Sequence, residues 1–251
     1  VKDKSLEGLG ADLNRLAAGE PVQYVIGFAD FCGLRFKVTP DVLIPRPETE
    51  LLCREAIKIG SRMQRMRKAY GKSAKPVRVL DLCTGSGCIA WTVALNIPGA
   101  EVTGVDISEK AVAVASSQDF AAKIKESEAS APKFVVADVL AGNQTFTEGD
   151  YDLILSNPPY IMESQKSQMR VNVLNYEPST ALFVEDSDPL VFYRSIAVLS
   201  RTCLSAEGKG LTEINELLGP ETQKVFSEAG FQKIDLVKDF YDKNRFVFYS
   251  K

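Results

Sequence analysis

The chain has no histidine in 251 residues. That absence removes the Ser-His and Cys-His nucleophile schemes and every metal site built on imidazole. Whatever chemistry the chain performs must manage without imidazole as a base. A CxxC pair is also missing. The five cysteines, Cys32, Cys53, Cys83, Cys88 and Cys203, are odd in number and scattered, which reads as reduced thiols in a cytosolic setting, with no metal expected. No apolar run approaches the ~20 residues of a membrane helix, and no signal-peptide pattern opens the chain, so no membrane partner is expected. There is no basic excess either: the net charge is -3, which argues against a broad nucleic-acid face. One local basic cluster, Arg62, Arg65, Arg67, Lys68, Lys72 and Lys75, reads as a solvated helix end and linker.

What is present is an ordinary globular balance, 45% hydrophobic and 25% charged, long enough for one α/β domain plus an appendage. The chain begins at Val1 in mid-pattern, which reads as a fragment or a processed N-terminus. Residues 5–18 place Leu6, Leu9, Leu13, Leu16 and Ala17 at helical spacing. Residues 22–39 largely alternate, broken at Ala29-Asp30 and Gly33, and predict a hairpin. Pro40, Pro45 and Pro47 make a rigid loop, Leu51–Met66 reads as a helix, and Tyr70–Pro76 as a polar linker and domain boundary.

Strands and helices then alternate. Strands are predicted at Val77–Cys83, Val102–Ile107, Lys133–Asp138, Tyr151–Asn157 and Gly210–Ile214. Helices are predicted at Ser86–Asn96, near Glu109–Lys125, near Pro189–Leu204 and near Pro220–Ala229. This order implies a mostly parallel sheet with helices on both faces. Two closing strands, Ile234–Asp239 and Phe246–Tyr249, have no helix between them and imply an antiparallel hairpin at one edge. Met162–Tyr176 reads as a long polar loop, of the kind that often forms a lid or binding loop.

Two motifs carry chemistry. Asp81-Leu82-Cys83-Thr84-Gly85-Ser86-Gly87 joins the first of these strands to its helix. Gly85 and Gly87 permit a sharp turn and close approach of a ligand, and the helix start offers free N–H groups. Nineteen residues on, Asp106 ends the next strand, where a carboxylate can take both ribose hydroxyls of an adenosine. The same pattern fits a dinucleotide fingerprint or a bare β–α turn. Asp81, which could reach an amino group or order the loop, and Asp138, placed to accept from an adenine amino group, favour S-adenosylmethionine over NAD.

The second motif is Asn157-Pro158-Pro159-Tyr160, at the exit of a strand that reads as buried. The Asn157 side-chain oxygen and the Pro158 carbonyl can accept the two hydrogens of a planar NH₂, and Tyr160 can stack on its face. The plain alternative is a strand-ending turn with Tyr160 as core filler.

Together these residues resemble a class I S-adenosylmethionine-dependent methyltransferase acting on an amide or exocyclic amine. Narrower segments are similar to the peptide chain release factor N5-glutamine methyltransferase family: residues 21–27 (PVQYVIG), 43–50 (LIPRPETE), Tyr176-Glu177-Pro178, Ala181-Leu182-Phe183, Phe192-Tyr193-Arg194 and Lys243-Asn244-Arg245. The match runs from about residue 20 to the end, in the family's order.

The resemblance implies an α/β, Rossmann-like fold. It has a mostly parallel seven-stranded sheet with an antiparallel C-terminal hairpin, a truncated helical N-terminal part and a β-hairpin. It divides the chain into a helical remnant (1–20), a hairpin and helical linker (21–75) and a catalytic domain (76–251). It implies S-adenosylmethionine as cofactor, S-adenosylhomocysteine as product, and release factors as partners of a monomer without direct nucleic-acid contact. Its catalytic residues would be Asn157, Pro158, Pro159 and Tyr160. Its cofactor site would comprise Asp81, Cys83, Thr84, Gly85, Ser86, Gly87, Asp106, Asp138, Val139 and Asn157. Arg46 and Glu48 would join the Asn157–Tyr160 motif at the substrate, unless they form a surface pair with helix capping.

Two departures stand out. Cys83 replaces a usual Gly, which should be tolerated if the turn rests on Gly85 and Gly87. Val139 replaces a Trp found in some members. The rival readings are an adenine-N6 nucleic-acid methyltransferase, which should carry a target-recognition region and a basic face, a ribosomal-protein glutamine methyltransferase, and a non-catalytic binding module.

Overall fold

A computed structural model describes residues 6–69, 75–141 and 150–251. The chain opens with helices α1 (Leu6–Ala17) and α2 (Val22–Ile26), then strands β1 (Phe28–Phe31) and β2 (Leu34–Lys37). A long helix α3 (Thr49–Ala69) leads to β3 (Arg78–Leu82), α4 (Cys88–Asn96), β4 (Glu101–Asp106), α5 (Glu109–Ser116), α6 (Ala121–Ser127), β5 (Lys133–Val136) and β6 (Tyr151–Ser156). Then come β7 (Ile161–Met162), α7 (Val171–Tyr176), β8 (Phe183–Val184), α8 (Val191–Cys203), β9 (Leu204–Glu213), α9 (Gly219–Glu228), β10 (Lys233–Lys238) and β11 (Asn244–Ser250).

Seven strands form one sheet in the order β10-β11-β9-β6-β3-β4-β5. The ladders from β9 through β6, β3 and β4 to β5 are parallel, while β11 runs antiparallel to both β9 and β10. Central β6 is buried at every residue, as expected of a parallel strand covered on both faces. Successive side chains alternate between two cores. Val79, Leu153 and Leu155 join α3, α4 and the β1–β2 hairpin on one face, while Leu80, Leu82 and Ile154 meet α8 and α9 on the other. The hairpin and α3 therefore share a core with the sheet. From β3 the chain steps outward to β4 and β5, then returns to the other side of β3 as β6. That reversal sets the ends of β3 and β6 side by side, with Leu82 opposite Ser156, and opens a crevice at the carboxyl edge.

Several predicted elements differ. Val22–Ile26 is a short helix, too brief for its period to separate from alternation, and the hairpin is confined to residues 28–37. The helix expected near Glu109–Lys125 breaks into α5 and α6. Gln118, in the break, accepts from Lys37 N (2.8 Å) and donates to Lys37 O (2.9 Å) and Ser86 O (3.1 Å), tying the hairpin to the sheet. The polar loop Met162–Tyr176 is instead built of short elements, including a 3₁₀ turn at Glu163–Gln168 and α7. Arg67, read as part of a solvated basic cluster, makes a bidentate pair with Asp152 (2.9 and 2.6 Å), and Asp152 also accepts from Arg78 N at 2.9 Å. Most of the linker expected at Tyr70–Pro76 lies outside the described residues. Among the described residues no helix is long and apolar enough to cross a membrane, and all five cysteines are free.

Candidate active site

The loop after β3 is set by backbone conformation and one buried carboxylate. Cys83, Gly85 and Gly87 all take positive φ (61°, 53° and 77°). The turn thus rests on Cys83 as well as on the two glycines, contrary to the sequence-based expectation, and a side chain in that region carries a cost of about 1–2 kcal/mol. The glycines differ in use. A Cβ at Gly87 would stand 3.0 Å from both Ala115 Cβ and Phe134 Cζ, whereas one at Gly85 would meet nothing within 4 Å. Gly87 is needed for packing; Gly85 leaves backbone open to a ligand.

Asp81 is fully buried beneath this loop. Its Oδ2 accepts from Thr84 Oγ1 (2.5 Å) and Ala90 N (3.2 Å), joining the turn to the start of α4. Its Oδ1 has no partner among the described residues. Burial, with a smaller contribution from the charge of Asp106, pushes its carboxyl up to about 7. Asp106 ends β4, and its two oxygens accept from Gly85 N (2.8 Å) and Ser108 N (3.0 Å). Burial raises its carboxyl while those amides hold it down. Asp138 accepts from Leu140 N at 2.8 Å.

A cavity of about 330 Å³ opens at the crevice, within the usual ~300–1,000 Å³ range of small-molecule sites. The structure brings Cys83, Gly85, Asp106, Asp138, Val139, Asn157 and Pro159 onto its wall. Asp81, Thr84, Ser86, Gly87, Pro158, Tyr160, Arg46 and Glu48 are not on that wall. Thr84 and Ser86, in the loop itself, and Pro158 are buried. The wall also includes Leu43, Pro178 and Phe192, from segments quoted above for their resemblance but given no pocket role.

Tyr160 does not offer its ring to the cavity. It packs against the α8–α9 core, and its hydroxyl donates to Glu213 Oε1 at 3.0 Å. Glu213 ends β9, is 1% exposed, and its Oε2 accepts from Thr49 Oγ1 at 2.7 Å. Asn157 Nδ2 in turn donates to Thr49 Oγ1 at 3.2 Å. Sequence reasoning passed over Thr49 and Glu213. The available signal was an acid at the carboxyl end of a strand, the same signal that marked Asp106 and Asp138.

Arg46 does not pair with Glu48. Its Nη2 donates to Glu177 Oε1 at 2.7 Å, and Glu177 Oε2 accepts from Ile44 N at 3.2 Å. The Glu177 side chain is 1% exposed and that of Arg46 31%, so the pair is a strap holding the proline-rich loop against the segment before Pro178. Glu177→Ala strands Ile44 N and should cost about 1–3 kcal/mol in chemical denaturation. It should also weaken ligand binding, because Leu43 and Pro178 share the cavity wall. Unchanged stability and affinity would count against the strap.

Residues 50–182 match the Methyltransferase small domain family. The hMettl16 catalytic domain, solved in complex with the MAT2A 3′UTR hairpin 6, has a similar fold, with a TM-score of 0.61 at 14% identity over 87% of this chain and 76% of that one. The release factor glutamine methyltransferase of Bacteroides thetaiotaomicron is 38% identical over 248 residues, 98% of this chain and 80% of its own. That of Flavobacterium psychrophilum is 39% identical over 235 residues, 94% and 77% respectively. At that identity over most of both chains, the protein belongs to the release factor glutamine methyltransferase family.

Proposed function

We propose that the chain transfers a methyl group from S-adenosylmethionine to the side-chain amide nitrogen of the glutamine in the Gly-Gly-Gln motif of peptide chain release factors. The observation that carries this reading is the meeting of Asp106, Asp138 and Asn157 on one cavity wall at the switch point of the sheet. The cavity fits the cofactor's chemistry. Asp106 and Asp138 present acceptors for ribose hydroxyls and an adenine amino group, Val139 gives an apolar surface, and Gly85 leaves room at the backbone. The orphaned Asp81 Oδ1 suits an ammonium group, which would have to meet it beneath the loop, since Asp81 is off the cavity wall. When bound, S-adenosylmethionine supplies an electrophilic methyl on a sulfonium.

The residues then have to position a weak nucleophile, since an amide lone pair is delocalised into its carbonyl. Asn157, on the cavity wall, accepts one amide hydrogen through Oδ1. The other is left to the Pro158 carbonyl next to it in the chain, though Pro158 is itself off that wall. Together they aim the nitrogen and stabilise the positive charge that grows on it. The proton can leave to water after transfer, so no imidazole is required. A glutamate in place of glutamine would set negative charge against these acceptors and leave them unpaired, at roughly 1–3 kcal/mol per buried group.

Incubation with labelled S-adenosylmethionine and a release factor should label the wild-type factor and leave one substituted at the Gly-Gly-Gln glutamine unlabelled. Label in a duplex oligonucleotide or a ribosomal protein, with none in the release factor, would favour the rival acceptors. The division at about residues 20 and 75 belongs to the same reading.

A further inference from the structure

We propose that Thr49 and Glu213 are positioning residues that fix the hydrogen-bonding sense of Asn157. The proposal rests on the reading of Asn157 as an amide acceptor and adds what makes it one. An Asn side chain is nearly symmetric in shape, and its two ends differ only in hydrogen bonding. Turned one way it offers the cavity an oxygen; turned the other way it offers an NH₂. The second orientation would face the substrate's own NH₂, donor against donor.

The network removes that choice. Tyr160 and Thr49 both direct their hydroxyls at Glu213, one to each carboxylate oxygen, at 3.0 and 2.7 Å. A donor on each of the two oxygens is an arrangement that suits an ionised carboxylate, which only accepts. Burial raises the Glu213 carboxyl, and Glu48 adds to that, while the Thr49 and Tyr160 hydroxyls and Arg245 favour the charged form. The geometry of two donors is what assigns the carboxylate here. A threonine hydroxyl has one proton, and here Glu213 takes it. Thr49 Oγ1 can then only accept from its other neighbour, Asn157, 3.2 Å away. Nδ2 must face Thr49, so Oδ1 is left for the cavity. Thr49 begins α3 and Glu213 ends β9, both rigid elements and both buried. The sense is therefore set before substrate arrives.

The test compares Thr49→Val, Thr49→Ser, Glu213→Met and Asn157→Ala in steady-state methyl transfer to a release factor. Cofactor affinity serves as the check on folding, and binding of Gly-Gly-Gln and Gly-Gly-Glu peptides is measured alongside. Thr49→Val should lower kcat about tenfold or more, the usual weight of a hydrogen bond, with cofactor affinity retained. Thr49→Ser should restore transfer. Glu213→Met, where it keeps cofactor affinity, should match Thr49→Val. Most specifically, Thr49→Val should shift peptide preference toward glutamate, because a turned Asn157 presents a donor to a carboxylate. Unchanged kcat in Thr49→Val beside an inactive Asn157→Ala would overturn the proposal and leave the acceptor reading standing. So would equal losses of affinity for the two peptides. An active Asn157→Ala would overturn the acceptor reading itself.

Discussion

Asn157→Ala should lower kcat by about 10²–10³-fold, the range seen when one preorganised hydrogen-bonding group is removed from the charge it stabilises. Cofactor affinity should stay within a few-fold. Asn157 is one contributor to a cavity whose other polar groups, Asp106 and Asp138, sit on separate strand ends. The substitution also leaves the local fold in place. Pro158 and Pro159 still fix the chain direction, and Thr49 keeps its bond to Glu213. Equilibrium binding of S-adenosylmethionine and single-turnover transfer to a release factor separate the two quantities. Full transfer by the variant would remove the acceptor role. Loss of binding and transfer together would make Asn157 a cofactor residue first.

The second large effect concerns Asp81. Its carboxyl is pushed up to about 7 from an ordinary value of 3.8, so between those pH values the folded chain holds a proton that the unfolded chain releases. Folding is then favoured at low pH, and this contribution is lost as pH rises toward 7 and above. With each pKa unit worth about 1.4 kcal/mol, the ligand-free protein at pH 8 bears a penalty of at most about 4 kcal/mol. Asp81→Asn cannot ionise. It can still accept from Thr84 and Ala90, and it places an NH₂ where Oδ1 now lacks a partner.

Urea unfolding of the ligand-free protein should therefore show the variant more stable than wild type at pH 8, with the gap closing as pH falls and the two nearly equal below pH ~4. Affinity for a ligand bearing an ammonium group should fall about 10–100-fold, because the charge is gone. Parallel pH dependences for the two proteins would mean that Asp81 titrates normally in the fold. The expected exchange of stability for binding is a common cost at functional sites.

The strands and their mostly parallel arrangement were largely readable because each parallel strand is a short apolar run bounded by turn residues. The closing hairpin was readable because β10 and β11 have no room for a crossover between them. The order in which the strands lie side by side was not. Asp106, Asp138 and Asn157 were readable for a related reason: polar residues at strand exits stand out against apolar runs. What stayed hidden was pairing at long range. Nothing local in the sequence says that Arg46 turns to Glu177 rather than to Glu48, two residues away. Nor does it say that Asn157 reaches back to Thr49 and Thr49 forward to Glu213. Gln118 ends a helix through bonds to Lys37 and Ser86, which no helix propensity encodes. Tyr160 was assigned to the pocket by its neighbours in sequence, while the β6–β9 ladder turned it toward Glu213.

The position of β11 has a consequence for biosynthesis. It comes last in sequence among the described strands yet lies inside the sheet, between β10 and β9, with Phe246 and Val247 fully in the two cores. While a ribosome is still adding these residues, β9 has an open edge along Lys209–Glu213, and the strand that carries Glu213 is unsupported on that side. Non-local pairings of this kind form late, and an exposed strand edge in a nascent chain invites association with other chains. The cavity at the carboxyl edge should therefore mature as a single late event, once β11 has left the ribosome. A nascent chain stalled before Asn244 should bind no cofactor and should depend more on holdase chaperones than one extended well past Ser250.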